Sequence, residues 1–301
     1  MVEIRAFKGI VYDWDKIGDM GVALAPPYDV ISPLLQEELY HRHPQNVVRL
    51  ILGKTYPDDS ATNSRYTRSA ADLCAWLDSG ILKPFPQPAL YIYSQEYEVD
   101  GERFNRVGFV CRLRADAYGQ GHVFPHERTL SGPKADRLNL TRACRMNFSQ
   151  IFGLYSDPSK TLDGLFEAVM KSANPVIDVD VEGVVHRMWP VTSREIIDAA
   201  VSFMADKDVV IADGHHRYET AVNYRAERRA QEGRAAGDYD YCLMFLSNTH
   251  GQGFTVLPTH RYVLQTDRLA DEVARALAAD FEITENRVAK ADAADFMHEL
   301  K

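Results

Sequence analysis

Apolar residues along this chain follow two patterns in alternation, short continuous runs and longer stretches with helical spacing. Short apolar, β-branched runs bounded by turn residues mark buried strands, and apolar positions recurring every third or fourth residue mark helices with one buried face. Strand runs are predicted at 4–12, 47–52, 151–155, 209–212 and 241–246. Residues 89–99 and 103–113 form a hairpin pair joined by Asp100-Gly101, a dipeptide suited to tight turns. A second strand pair is expected at 176–180 and 183–189. Helical spacing covers 62–79, 138–146, 162–172, 193–204, the stretch from Arg217, 267–279 and 289–300, with a strand at 281–284.

Boundary signals sharpen this picture. Pro26 and Pro27 keep 25–30 extended or turned, because each ring fixes its own φ and disfavours helix before it. Ser32 is a suitable N-cap and Pro33 a suitable first residue for a helix that runs to His43-Pro44. Ala70, Leu73, Cys74 and Leu77 share one face of the 62–79 helix, which Gly80 closes. The fold class that follows is α/β, of the α+β kind with a mixed sheet. No internal repeat or low-complexity tract interrupts it.

At 301 residues the chain is long enough for one large or two modest cores. The net charge of −9 argues against a nonspecific grip on nucleic acid, which needs a positive surface. Cys74, Cys111, Cys144 and Cys242 are dispersed without a CxxC pair, as buried thiols of a reducing compartment would be. No stretch approaches the ~20 apolar residues of a membrane span, and no signal-like N-terminus is present, so a cytoplasmic protein is expected.

Polar chemistry concentrates where the run Val209–Ala212 stops at Asp213-Gly214. Tyr218, Ala221, Val222 and Ala226 then recur at helical spacing, which places His215, His216 and Arg217 at a helix entrance. The first turn of a helix offers unpaired N–H groups and the positive end of the dipole, and Gly214 allows a backbone that a Cβ would obstruct. An anion suits that position. Arg217 would add a two-pronged contact to phosphate, His215 and His216 would donate hydrogen bonds, and Asp213 would hold a divalent metal or accept a proton. Asp-Gly is also a common turn, in which the aspartate merely satisfies backbone donors.

A second cluster, HVFPHERTLSGPKADR, carries His126, Glu127, Arg128, Lys134, Asp136 and Arg137 in a loop of mixed charge. Glu127 would remove a proton from a hydroxyl while Lys134 and Arg137 neutralise anionic oxygens. The alternative is a solvated loop whose exposed ion pairs contribute ~0–1 kcal/mol each. Tyr28, Asp29 and Arg49 either line a site or form a structural corner beside the diproline. The aromatic residues at 91–93 read as sheet packing. Among other chemistries, His122, His126, His215 and His216 lack HExxH spacing, and GxSxG, GxxxxGKT and GxGxxG are all absent.

The segment ADGHHRYETA (212–221) resembles the signature of a bacterial family classed as a domain of unknown function. APPYDVIS (25–32), NVVRLIL (46–52), PHERTLSGPKADR (125–137), FGLYSD (152–157) and LPTHR (257–261) match that family's pattern too. Through PHE followed later by DGHHR, the family is similar to free serine kinases of the ParB/sulfiredoxin-like superfamily. The resemblance implies a ParB/sulfiredoxin-like core with large N-terminal and inserted elements. It divides the chain into an N-terminal α/β segment (1–88), a nucleotide and phosphotransfer core (89–265) and a C-terminal α/β segment (266–301).

In function it implies a nucleotide-dependent phosphotransferase, a kinase of a small hydroxyl compound such as free serine, using ATP or ADP with Mg²⁺. Glu127 and Asp213 would be catalytic, with Asp213 also the metal ligand. Gly214, His215, His216 and Arg217 would cradle phosphates, and His126, Lys134, Arg137, Thr259, His260 and Arg261 would contact substrate or phosphate. Nucleotide and small hydroxyl substrate are the implied partners, neither membrane nor nucleic acid is expected, and a homodimer is left open. A regulatory module that binds nucleotide without turnover, or a scaffold without chemistry, would carry the same motifs. No persuasive helix-turn-helix follows the motif for a DNA-partitioning role.

Overall fold

The computed structural model describes residues 1–127, 129, 131–233, 236–251, 253–254 and 267–284. The chain divides into two compact units, Met1–Phe254 and Thr255–Lys301. The first unit opens with β1 (Ile4–Arg5), β2 (Ile10–Tyr12), α1 (Trp14–Ile17), α2 (Pro33–Arg42), α3 (Val48–Ile51), α4 (Arg65–Asp78) and β3 (Leu82–Pro84). The hairpin β4 (Leu90–Val99) and β5 (Glu102–Arg114) comes next, then β6 (Val123–Phe124), α5 (Ser131–Cys144), β7 (Ile151–Tyr155) and α6 (Thr161–Ser172). After β8 (Ile177–Val181), β9 (Val184–Val191) and α7 (Arg194–Ala205) come β10 (Val209–Asp213), α8 (His215–Glu232) and β11 (Tyr241–Asn248). In the second unit, α9 spans Ala270–Leu277.

Among the described residues nine strands form one mixed sheet in the order β6-β10-β7-β11-β5-β4-β9-β8, with β1 paired to the end of β5. The β4–β5 turn is made by Asp100 and Gly101, both at positive φ, as the Asp-Gly dipeptide predicts. Side chains alternate between the sheet faces. Leu90 and Ile92 join Phe109, Cys111, Leu113, Met244 and Leu246 in one core beneath α6, α7 and α8. Tyr91, Val110 and Phe245 pack on the opposite face with Phe7, Phe85 and Phe152. A separate core gathers Tyr12, Ile17, Met20, Leu50, Leu73, Trp76 and Leu82 against Val179 of β8.

Four stretches differ from the pattern-based reading. Residues 4–12 contribute to two sheets, because β1 pairs with β5 while β2 pairs with β3. Residues 47–52, a strand by their apolar run, contain the short helix α3. The buried Asn46 accepts from the Val48 N–H at 2.9 Å and donates to the carbonyls of Val22 and Leu24, both at 2.8 Å, which fixes the chain for a turn of helix. The 125–137 loop becomes helical from Ser131 onward, so Lys134, Asp136 and Arg137 project from α5. Residues 281–284 form no strand. On α4 the buried positions are Ser69, Leu73 and Trp76, while Cys74 is exposed. The helix expected at 289–300 lies outside the described residues, as do Arg128, Thr259, His260 and Arg261.

Candidate functional site

Two chain segments meet because β6 and β10 run parallel, with Val209 opposite Val123 and Val210 opposite Phe124. Both strands therefore end at the same edge. Pro125-His126-Glu127 leaves β6 beside the point where β10 ends and Gly214 turns the chain into α8. Gly214 holds φ +93°, a left-handed conformation, and a Cβ built on it would lie 3.0 Å from the Arg217 guanidinium. Gly214→Ala should therefore cost about 1–2 kcal/mol of stability, measurable by urea denaturation, with α8 retained.

His215, the first residue of α8, is the centre of the cluster. Its ring is only 1 % exposed, and its Nδ1 lies 3.0 Å from Glu127 Oε1. The His126 backbone N–H donates to His215 Nε2 at 3.3 Å. An amide can only donate, so the neutral His215 ring carries its proton on Nδ1, the nitrogen that lies 3.0 Å from the Glu127 carboxylate. Burial pushes the His215 pKa below its ordinary value, favouring this neutral form, and the nearby Glu127 charge offsets only part of that. The His126 ring stands at 89° to that of His215, centroids 4.4 Å apart, and its Nδ1–H donates to the Ile211 carbonyl at 2.7 Å. Glu127 itself remains 53 % exposed, a carboxylate anchored at one oxygen and open to solvent.

Phosphate-binding donors expected from the sequence are engaged within the protein. Arg217 reaches back across Gly214 to the Asp213 carboxylate, which is 60 % exposed, and to the Gln150 carbonyl. Arg217, expected from the sequence to face a phosphate, thus faces an exposed carboxylate here, and Asp213 has a cationic partner. Asp213 ends β10 and Arg217 lies in the first turn of α8, so the pair closes across the Gly214 turn rather than along a helix face. Arg137 is buried, bonded to Asp136 and to the Ile51 carbonyl, and its guanidinium lies 3.9 Å from the Tyr28 ring centroid. Arg137 is thus a tie from α5 to Tyr28 and to the end of α3. Arg65 and Tyr66 of α4 hold the same Asp136. Arg49 stacks on Tyr40, away from that tie.

Lys134 is placed on α8 by Glu219, whose Oε2 accepts from Lys134 Nζ and from Thr129 Oγ1, both at 2.8 Å. Burial raises the Glu219 pKa, but the two donors and the Lys134 charge outweigh it and leave the carboxyl below its ordinary value. Glu219 was not singled out from the sequence, although it lies one turn beyond His215 on the same helix. Tyr118 was also missed. Its buried hydroxyl has no hydrogen-bond partner among the described residues, its ring stacks on Tyr218 at 5.3 Å, and its pKa is raised by burial and by the charges of Glu219 and Glu127. His216 lies in the first turn of α8, and Thr220 donates to its carbonyl at 2.7 Å. His122 instead pairs with Asp208 at 2.7 Å.

A family model described as "Protein of unknown function (DUF1015)" matches residues 4–299, nearly the whole chain and both halves of this cluster. The chain belongs to that family. Neither the curated proteins nor the solved structures compared with it include a match. No helix among the described residues is long and apolar enough to cross a membrane. In this family member, then, the PHE and DGHHR segments contribute to one constellation. It combines an oriented carboxylate, a neutral histidine, and a helix N-terminus guarded by an Asp213–Arg217 pair.

Proposed function

We propose that this protein is a nucleotide-dependent phosphotransferase acting on a small hydroxyl compound. The observation that carries the reading is the half-exposed Glu127 carboxylate, with one oxygen 3.0 Å from His215 Nδ1 at the start of α8. A general base must be oriented on one side and open to its substrate on the other, and Glu127 meets both conditions. The first turn of α8, which opens at His215, lies beside it, and together with Arg217 would supply the positive potential that a transferring phosphoryl group needs. A nucleotide phosphate would compete with Asp213 for Arg217, releasing the Asp213 carboxylate to hold Mg²⁺, a hard cation that prefers oxygen ligands.

The test incubates the full chain with ATP or ADP, Mg²⁺ and a pool of hydroxyl amino acids, free serine among them, and looks for a phosphomonoester by phosphorus NMR. A new phosphomonoester supports the reading. Arg217→Ala should then raise the nucleotide Kd at least tenfold, since a charge-assisted bond contributes ~1.5–3 kcal/mol, and Arg217→Lys should restore only part of it. Unchanged affinity in both variants would remove Arg217 from the site. The Asp213–Arg217 pair across Gly214 favours one other reading, a nucleotide-operated switch. Tight nucleotide binding without product would select it.

A further inference from the structure

We propose that His126, Glu127 and His215 form a binding site for a borderline divalent transition-metal cation such as Zn²⁺, separate from any Mg²⁺ carried by a nucleotide. One ligand atom from each of the three residues lies within 4.8 Å of the other two. In a tetrahedral site with metal–ligand bonds near 2.0–2.2 Å, ligand atoms stand about 3.3–3.5 Å apart. The His215 and Glu127 pair is already at 3.0 Å, so closure rests on the approach of the His126 ring. His126 and Glu127 are exposed, whereas His215 is anchored in the core at the head of α8.

Protonation at His126 also fits. Its Nδ1–H is committed to the Ile211 carbonyl, which leaves the lone pair on Nε2 and fixes the ring plane. Metal-binding histidines characteristically donate their other N–H to a backbone carbonyl or carboxylate in this way. Two imidazoles and one carboxylate suit Zn²⁺ and its first-row neighbours rather than Mg²⁺, and three protein ligands leave coordination positions open for an exogenous oxygen. A carboxylate bound to a cation cannot accept a proton, so a loaded site would silence Glu127 as a base. That consequence alone rests on the phosphotransfer reading.

Cation binding leaves a signature in either geometry of the His215 ring. If Nδ1 ligates, its proton moves to Nε2; if Nε2 ligates, its lone pair is used. Both outcomes take away the acceptor of the His126 backbone N–H.

The experiment uses the full chain, stripped with chelator and titrated with Zn²⁺ by calorimetry and by amide NMR. One equivalent should bind and shift the His126 amide resonance. His126→Ala, an exposed change that leaves the core intact, should weaken binding by more than the ~10–100-fold known for outer-sphere partners alone. His122→Ala, at a histidine paired with Asp208 outside the cluster, should bind as the parent does. The proposal is overturned if the parent binds no equivalent of Zn²⁺, if the His126 amide is unmoved on binding, or if His122→Ala weakens binding as much as His126→Ala. These readouts need no turnover. A protein that forms phosphomonoester but ignores Zn²⁺ refutes only the metal site, and one that binds Zn²⁺ here without transferring phosphate refutes only the phosphotransfer reading.

Discussion

Glu127→Gln should lower the rate of phosphoryl transfer by roughly 10²–10⁴ while nucleotide affinity stays nearly intact, the usual range for losing a general base. The glutamine amide keeps the shape of the side chain, and its Oε1 can keep the place beside His215 Nδ1 that Glu127 Oε1 holds at 3.0 Å. What it lacks is the capacity to take a proton from the acceptor hydroxyl. Asp213→Asn should behave differently. That side chain pairs with Arg217 and would hold Mg²⁺ in the loaded state, so its loss should weaken Mg²⁺-nucleotide binding as well as rate. Calorimetric titration alongside initial rates separates the two variants. Full activity in Glu127→Gln, on an acceptor that the parent phosphorylates, would remove Glu127 as the base and leave it as a solvated residue beside a buried histidine.

The legible parts of this fold are those whose causes are local. Asp100-Gly101 turns the β4–β5 hairpin, Ser32 and Ser193 cap α2 and α7, and Gly214 turns β10 into α8. Each feature depends on residues within a few positions of one another. Residues 47–52 were not legible in that way. A short apolar run fits a strand or a buried helical turn equally, and the choice rests on Asn46 bonding to Val22 and Leu24 in a distant loop. At α5, by contrast, a local signal existed: a proline suits the first turn of a helix, and Pro133 lies near its start.

For the site the same division holds. The DGHHR turn is local and was legible, whereas the partnership of His126 and Glu127 with His215 depends on β6 and β10 being parallel neighbours. No spacing rule for metal ligands or catalytic pairs reaches across such a separation, so the absence of HExxH carried no weight against the three residues meeting. The Asp213–Arg217 pair closes across that same turn, between the end of β10 and the first turn of α8, so it depends on how the chain bends at Gly214.

Asp240→Ala should destabilise the protein by about 3–5 kcal/mol, the range for removing one partner of a buried ion pair. The carboxylate is 4 % exposed, and one oxygen accepts from both Arg225 Nε at 3.0 Å and Arg229 Nε at 2.8 Å. Its other oxygen accepts from the Gly237 N–H at 2.9 Å, and its backbone carbonyl accepts from Ala115 at 2.8 Å. Arg225 in turn reaches Asp116 at 2.8 Å, whose carbonyl accepts from Tyr218. This network ties the body of α8 to the start of β11 and the end of β5, and thereby fixes the helix whose first residue is His215. Removing the carboxylate would leave two guanidinium groups facing a cavity, and among the described residues only Arg225 would retain a second anion, Asp116. Asp240→Asn, which keeps the shape and one acceptor oxygen, should lose less. Burial raises the Asp240 pKa, yet the bonds from Arg229 and Gly237 and the arginine charges outweigh it, so the folded-state value lies below the ordinary one. The contribution is therefore complete above the ordinary aspartate range near ~4 and is lost as pH falls through the lower folded value. Urea denaturation of the three proteins at neutral pH and near pH ~3 checks both statements. A loss under ~1 kcal/mol for Asp240→Ala at neutral pH would mean that water screens the network as it does a surface pair, and that α8 is held by Tyr218 and the apolar core alone.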